Sequence, residues 1–440
     1  MKYIYNAVLN IAEAFVIFIV KIHKLLPDNK LRKFALGRYR LVDRIEKDFG
    51  ASEGNSGNSS CSGRERCRDE KPLYWIHAAS LGEYGVARPL IRRLKRDDAC
   101  RIVLTFFSPT GYEVLKNNRE GIDFLYYLPL DTPDNARRFI DAVRPDRAVF
   151  IISEYWLNYL AVLKERHIPV FLVSAIIRDN SPFFKWYGSM FRNALGAYTR
   201  FMVLNSASEN NLNRLGYNNV TVTGDPLFDN VAAVASRPFS NTVIEHFVNG
   251  ADVFIAGSVS DRKDVSMVAG LAAEYTEQKF IIVPHEIEKD YIGHIRSSMA
   301  GKSLLYSECD ADTDFRGVRF LIVDCMGLLA YIYRYARWAY VGGGFTPYLH
   351  NVMEAAVYGL PVAFGPRIER KTAPQELMAL GLGAMVSSGR ELMEWFSGLK
   401  DNPAEMSRIK EGAKGFVDRN SGVTDSIVRI LQTDGTEVSI

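Results

Sequence analysis

The sequence has little cysteine, little histidine and almost no charge imbalance. Its five cysteines, Cys61, Cys67, Cys100, Cys309 and Cys325, are odd in number and scattered, with no C-x-x-C pair. That argues against a disulfide framework or a thiolate zinc site and fits a reducing compartment. The seven histidines include no H-E-x-x-H and no close His/Cys cluster, so no metal is expected, structural or catalytic. With 54 Lys and Arg against 51 Asp and Glu, the formal net charge is +3. The basic excess of a nucleic-acid binder is missing. So is any low-complexity bulk. What remains is a globular composition, 48% hydrophobic and 24% charged, over 440 residues. Two domains of roughly 200 residues each are the expectation for that length.

One apolar run stands out near the N-terminus. YIYNAVLNIAEAFVIFIV, residues 3–20, is nearly long enough to span a bilayer, which takes about 20 apolar residues. Asn6, Asn10 and Glu13 recur at helical spacing and form a polar stripe on one face. The stripe favours a helix lying in the interface, or a shallow anchor, over a clean span. No A-x-A-like cleavage site follows, which argues against a cleaved leader. A basic stretch does follow: Lys21, His23, Lys24, Lys30, Arg32, Lys33, Arg38 and Arg40. Such a flank places the rest of the chain on the cytoplasmic side, near anionic headgroups. The alternative is a buried first helix of the globular domain.

Residues 51–71, polar and rich in glycine and serine, read as a flexible loop. Short β-rich runs then alternate with amphipathic helical runs, the pattern of a parallel sheet with helices on both faces. Six strand candidates precede a passage from Asp225 to Gly250 that loses the rhythm, and six follow it. The expected fold is α/β, with two Rossmann-like domains facing one another across a cleft. The domain reading is 1–40 for the anchor and basic segment, 41–230 for the first domain and 251–425 for the second. Ligands in such sheets sit at the carboxyl ends of the strands. There fall HAASLGE, IISEYW, IAGS, VPHEI and VGGGF.

HAASLGEYG, residues 77–85, poses a choice. Ser80-Leu81-Gly82-Glu83 fits a capping box, in which serine and glutamate satisfy orphan donors at a helix start. Glu83 is equally placed to be a general base. In the second half, WAYVGGGFTPYLHNVMEAAVYGLPVAFGP runs from Trp338 to Pro366. Three glycines after a strand let backbone approach a ligand and offer N–H groups to a phosphate. Asn351-x-x-Glu354 follows; it is either a helix cap or a nucleotide site in which Asn351 meets phosphate and Glu354 accepts from ribose hydroxyls.

These motifs, taken in order, resemble the 3-deoxy-D-manno-octulosonic acid (Kdo) transferases, in forms seen in Bacteroidetes-type sequences. The resemblance rests on HAASLGEYGVARPLI, FFSPTGYE, YYLPLDTPDNARRFIDAVRPD, SEYWLNYL, FFKWYG, LGYNNVTVTGDPLFD, IAGS, VPHEI, MGLLAYIYRYA and YVGGG…HNVMEAAVYGLPVAFGP. It implies the GT-B architecture and an inverting, metal-independent transfer from CMP-Kdo to a lipid A precursor (lipid IVA) in lipopolysaccharide biosynthesis, without a cofactor. It implies an inner-membrane enzyme held by its N-terminal helix, its domains on the cytoplasmic face. Glu83 is then the general base toward the acceptor hydroxyl, and Glu154 the second acidic residue, supporting the transition state. Pro284, His285, Met326, Gly327, Leu328 and the segment Asn351 to Glu354 match the CMP-binding positions. Ser258 is a further phosphate contact, and Arg178 is left as a solvated charge.

Two departures stand out. Where the family carries Lys or Arg in its G-D/N-x-K/R-F-D motif, this chain reads Gly224-Asp225-Pro226-Leu227-Phe228-Asp229. After VGGGF, Thr346-Pro347-Tyr348 replaces a glycine- and lysine-containing turn. The alternatives are therefore a GT-B transferase for another nucleotide sugar, or a catalytically silent membrane-bound paralogue.

Overall fold

The computed structural model describes residues 2–54, 71–96, 98–347, 349–369 and 371–434. Most of the stretch read as a flexible loop, with Cys61 and Cys67, lies outside the described residues; the helix Leu41–Gly54 runs into its beginning. The chain forms two units, Met1–Asn230 with Gly422–Ile440, and Val231–Ser421.

The first unit is built on seven parallel strands: β1 (Leu73–Ala78), β2 (Arg101–Phe106), β3 (Phe124–Tyr127), β4 (Arg147–Ile151), β5 (Val170–Ala175), β6 (Arg200–Val203) and β7 (Val220–Val222). Their order is β3-β2-β1-β4-β5-β6-β7. Side chains alternate along each strand. Leu73, Trp75, Val103, Ala148 and Phe150 enter one apolar layer; Tyr74, Ile76, Leu104, Val149 and Ile151 enter the other. Burial on both faces explains why these strands read as nearly continuous apolar runs. The second unit repeats the plan with β8 (Val253–Val259), β9 (Lys279–Pro284), β10 (Lys302–Leu305), β11 (Val318–Ile322), β12 (Trp338–Val341), β13 (Val362–Phe364) and β14 (Gly383–Met385). Their order is β10-β11-β9-β8-β12-β13-β14.

Each sheet thus has one strand more than the sequence reading found. The additions are β7 and β10, an edge strand of each sheet, with several residues only partly buried. The passage 225–250 contains two helices, Leu227–Ala235 and Thr242–Val248. The second unit begins at Val231 and ends at Ser421, whereas the sequence reading ran it from 251 to 425. The chain returns to the first unit because Asp229 accepts from the backbone N–H of Thr424 at 2.6 Å, and Ile427, Val428 and Leu431 complete the first unit's core.

The helix Lys2–Ile22 is long and apolar enough to cross a membrane by length and composition. It lies against the first unit. Tyr5 donates to Asp131 Oδ2 at 2.6 Å, Asn158 Nδ2 donates to Asn6 Oδ1 at 2.9 Å, and Asn135 Nδ2 donates to Glu13 Oε1 at 2.7 Å. Val16 and Ile19 pack with Ala35 and Leu130. Two members of the polar stripe, Asn6 and Glu13, therefore face protein; Asn10 stays exposed. The exposed side is apolar, with Ile4, Val8, Ile11, Phe15 and Phe18. Asp131 explains the inversion. It is fully buried, already accepts from the N–H groups of Asn158 and Tyr159, and takes Tyr5 as a further donor.

Candidate functional site

In the first sheet, β1 and β4 are neighbours from which the chain winds in opposite directions, the topological switch point where such sheets bind ligands. Glu83 follows β1 and Glu154 follows β4. Ser80 caps the helix Leu81–Leu94, its hydroxyl accepting from the Glu83 N–H at 3.4 Å, while the Glu83 carboxylate accepts from the Ala79 N–H. The capping contacts are made. Burial and the nearby Glu154 nevertheless push the Glu83 carboxyl up to about 8, against the backbone bonds that lower it. A carboxylate so poised is a far better base near neutrality than an ordinary one. Gly82 leaves open space on its own side: a side chain there would approach only Ser80 Oγ, at 3.8 Å.

Glu154 is buried. Its Oε2 accepts from the indole N–H of Trp156, its backbone carbonyl accepts from the Tyr198 hydroxyl, and His77 Nε2 lies 3.2 Å from Oε2.

The second sheet has its own switch point between β8 and β12. Ser258, near the end of β8, holds a left-handed backbone with φ 52°, and the Gly342–Gly344 turn leaves β12 beside it. A side chain at Gly342 would drive into the Ser258 carbonyl, and Gly344 and Gly365 approach each other as closely. Asp264 ties these loops together. Fully buried, it accepts from Tyr340 OH at 2.6 Å, Gly343 N–H at 2.9 Å and Ser260 N–H at 3.0 Å. Pro284 ends β9; His285 after it stacks on His350, ring centroids 4.1 Å apart. Burial holds His350 down to about 4, so its ring is neutral. Asn351 accepts from the Met353 N–H at 3.1 Å and donates to Glu354 at 3.2 Å, and burial raises the Glu354 carboxyl to about 7. The helix that follows is only Met353–Ala356. Met326 and Gly327 are exposed beyond β11, with Leu328 half-buried and Gly327 at φ 90°.

The predicted residues therefore form two sets. Glu83 and Glu154 stand at the first sheet's switch point; Ser258, Pro284, His285, Met326, Gly327, Leu328, Asn351 and Glu354 lie at or beyond the carboxyl ends of β8, β9, β11 and β12. Leu227 sits two residues past Asp225, 3.2 Å from where a side chain on Gly85 would begin, and packs against the apolar layer of the helix that carries Glu83. No cation stands at that position. Arg178 is exposed in the loop after β5. Thr346 closes the turn after VGGG by donating to the Gly343 carbonyl at 2.9 Å; Tyr348 lies outside the described residues. Sequence reasoning missed His77, Trp156 and Asp264. His77 opens the very motif that contains Glu83, and its place in an apolar strand was the available signal. Among the described residues no group of three or more His, Cys, Asp or Glu is arranged to hold a metal ion.

Residues 45–230 match the family model for 3-deoxy-D-manno-octulosonic-acid transferase (kdotransferase). A 3-deoxy-D-manno-octulosonic acid transferase of Bordetella pertussis is 27% identical over 392 residues, 84% of this chain and 90% of that protein. Its counterpart from Aquifex aeolicus is 26% identical over 338 residues, 75% of this chain and 86% of that protein. Among solved structures, the UDP-GlcNAc 2-epimerase of Neisseria meningitidis bound to UDP-GlcNAc superposes with TM-score 0.57 at 14% identity, covering 82% of this chain and 99% of that one. That likeness is one of fold, two Rossmann-like domains of the GT-B class.

Proposed function

We propose that this chain, which belongs to the 3-deoxy-D-manno-octulosonic acid transferase family, moves Kdo from CMP-Kdo onto a lipid A precursor (lipid IVA) with inversion at the anomeric carbon. The observation that carries the mechanism is the acid pair at the first switch point, Glu83 held at about 8 beside Glu154. Glu83 takes the proton of the acceptor hydroxyl as that oxygen bonds to the anomeric carbon. The bond from that carbon to the phosphate oxygen breaks on the opposite face, and CMP leaves with the electron pair. Glu154 supports the positive charge that develops on the sugar. Ser258, Pro284, His285, Met326, Gly327, Leu328, Asn351 and Glu354 hold the CMP portion. Neither metal nor cofactor takes part, so EDTA leaves the rate unchanged.

The exposed apolar face of the helix Lys2–Ile22, with Lys21 and Lys24 at its end, supports a membrane-surface enzyme on the cytoplasmic face of the inner membrane. Purified protein given CMP-Kdo generated in situ and a tetra-acylated lipid A precursor should yield a product heavier by one or more Kdo. Glu83→Gln should abolish that gain and keep CMP binding. Leu227 favours a second reading, in which another sugar or no sugar is moved; CMP binding without any mass gain identifies it.

A further inference from the structure

His77 lies fully buried near the end of β1. Its Nδ1 is 2.8 Å from Thr105 Oγ1, and the same oxygen receives the indole N–H of Trp75 at 2.9 Å. An indole nitrogen only donates. Thr105 Oγ1 therefore accepts from Trp75, and its one proton is left to point at His77 Nδ1. The imidazole then carries its own proton on Nε2, the atom 3.2 Å from Glu154 Oε2. The other tautomer sets a bare ring nitrogen against a carboxylate oxygen in a buried site, an arrangement that burial penalises. Phe150 and Trp156 stand edge-on to the ring, centroids 6.0 and 5.9 Å away, and fix its plane.

The arrangement follows from strand register. β1 and β2 pair His77 with Thr105, alternation along β1 puts Trp75 on the same side as His77, and Glu154 follows β4, the strand on the other flank of β1. Three neighbouring strands bring Trp75, Thr105 and His77 into one hydrogen-bonded run and set His77 Nε2, which makes no hydrogen bond of good geometry, 3.2 Å from Glu154 Oε2.

We propose that His77 is a positioning residue: locked by Thr105 in its Nε2–H tautomer, it holds the Glu154 carboxylate in place beside Glu83. The catalytic consequence rests on the transferase reading above; the tautomer does not. Trp156 donates to the same Oε2, while His77 Nε2, which makes no hydrogen bond of good geometry, has that oxygen 3.2 Å away. The other ionisable groups around Glu154 are Glu83, Tyr155 beside it, Tyr198 on its carbonyl, and Arg178 acting on Tyr155. Glu154 opposes charge on the Glu83 carboxyl, so the two carboxyls have different duties.

Two measurements test this on the full-length protein. Nitrogen-15 spectra of histidine-labelled protein, with His77 assigned by loss of its signal in His77→Gln, read the tautomer directly. The expected result is Nε2–H in the parent and a mixed or reversed tautomer in Thr105→Val, which keeps the side chain's shape and removes its proton. In the transfer assay, Thr105→Val should lower kcat, leave KM for CMP-Kdo unchanged, and move the ascending limb of the pH profile down by about one unit, the lower end of what one neighbouring charge does. His77→Gln, which can still offer an N–H, should retain more activity than His77→Ala. An Nδ1–H tautomer in the parent, or a Thr105→Val profile superimposable on the parent's, overturns the proposal. A parent that shows the expected tautomer but moves no Kdo sinks the transferase reading and leaves the hydrogen-bond assignment standing.

Discussion

Replacing Glu83 by glutamine keeps an oxygen for the Ala79 N–H and removes the group that takes a proton, so it separates two duties the native side chain combines. The cap should survive. Transfer should fall by about 10²- to 10⁴-fold, the usual weight of general-base help, with CMP affinity by calorimetry unchanged. Because the carboxyl titrates at about 8, the parent's rate should climb with pH and level off above that value. Stability runs the other way. An ordinary glutamate titrates at roughly 4.3, so the folded protein binds a proton here that the unfolded chain releases. The stability this gives is full below the unfolded value and is lost as pH rises through about 8. Glutamine does not ionise; the variant should therefore melt above the parent at pH near 8.5 and close to it at pH near 5, as read by differential scanning fluorimetry. Equal melting at both pH values means that Glu83 is not held neutral. The sequence offered capping and catalysis as rivals because a single S-x-x-E pattern serves both. Only burial and the approach of Glu154, which come from a different strand, show how one residue meets both requirements.

At the scale of elements, what was legible tracks burial. The twelve strands anticipated from sequence are mostly the inner ones, where both faces are covered and the apolar run is long. The edge strands β7 and β10 escaped because a half-exposed strand is written with mixed residues. His77 escaped for a related reason: its meaning depends on the β1–β2 register, which no local pattern encodes. The first helix was recognised, but its orientation was not. A polar stripe on an apolar helix ordinarily faces water; here Asn6, Glu13 and Tyr5 meet buried partners. The two faces should accordingly respond differently to mutation. Phe15→Asp with Phe18→Asp, both on the exposed side, should weaken sedimentation with anionic vesicles and leave the melting temperature alone. Tyr5→Phe removes a donor from fully buried Asp131 and should cost about 1–3 kcal/mol in denaturant unfolding, with little effect on vesicle binding in the surviving fold. The reverse pattern would mean that the helix docks by its apolar face.

The whole chain departs from a simple two-bead plan at its C-terminal end. Composition and periodicity gave no reason to detach the last helix from the second domain, because an amphipathic helix carries no mark of which sheet it covers. The structure attaches it to the first. Asp229 accepts from the backbone and hydroxyl of Thr424, and Ile427, Val428 and Leu431 fill the apolar layer beneath the helix Leu81–Leu94, the one that carries Glu83 in its first turn. Each buried aliphatic side chain is worth roughly 1.5–3 kcal/mol, so losing three approaches the whole stability of a domain, about 5–15 kcal/mol. A chain ending at Ser421 should therefore lose the cooperative melting of the first unit, and with it all transfer, while the second unit, whose loops Asp264 ties together, still binds CMP. Calorimetric melting with a CMP titration on the same sample reads both. If the shortened chain melts like the parent, the last helix is dispensable and the packing around Glu83 does not depend on it. If CMP binding disappears along with the first unit's transition, the nucleotide site is not held by the second unit alone.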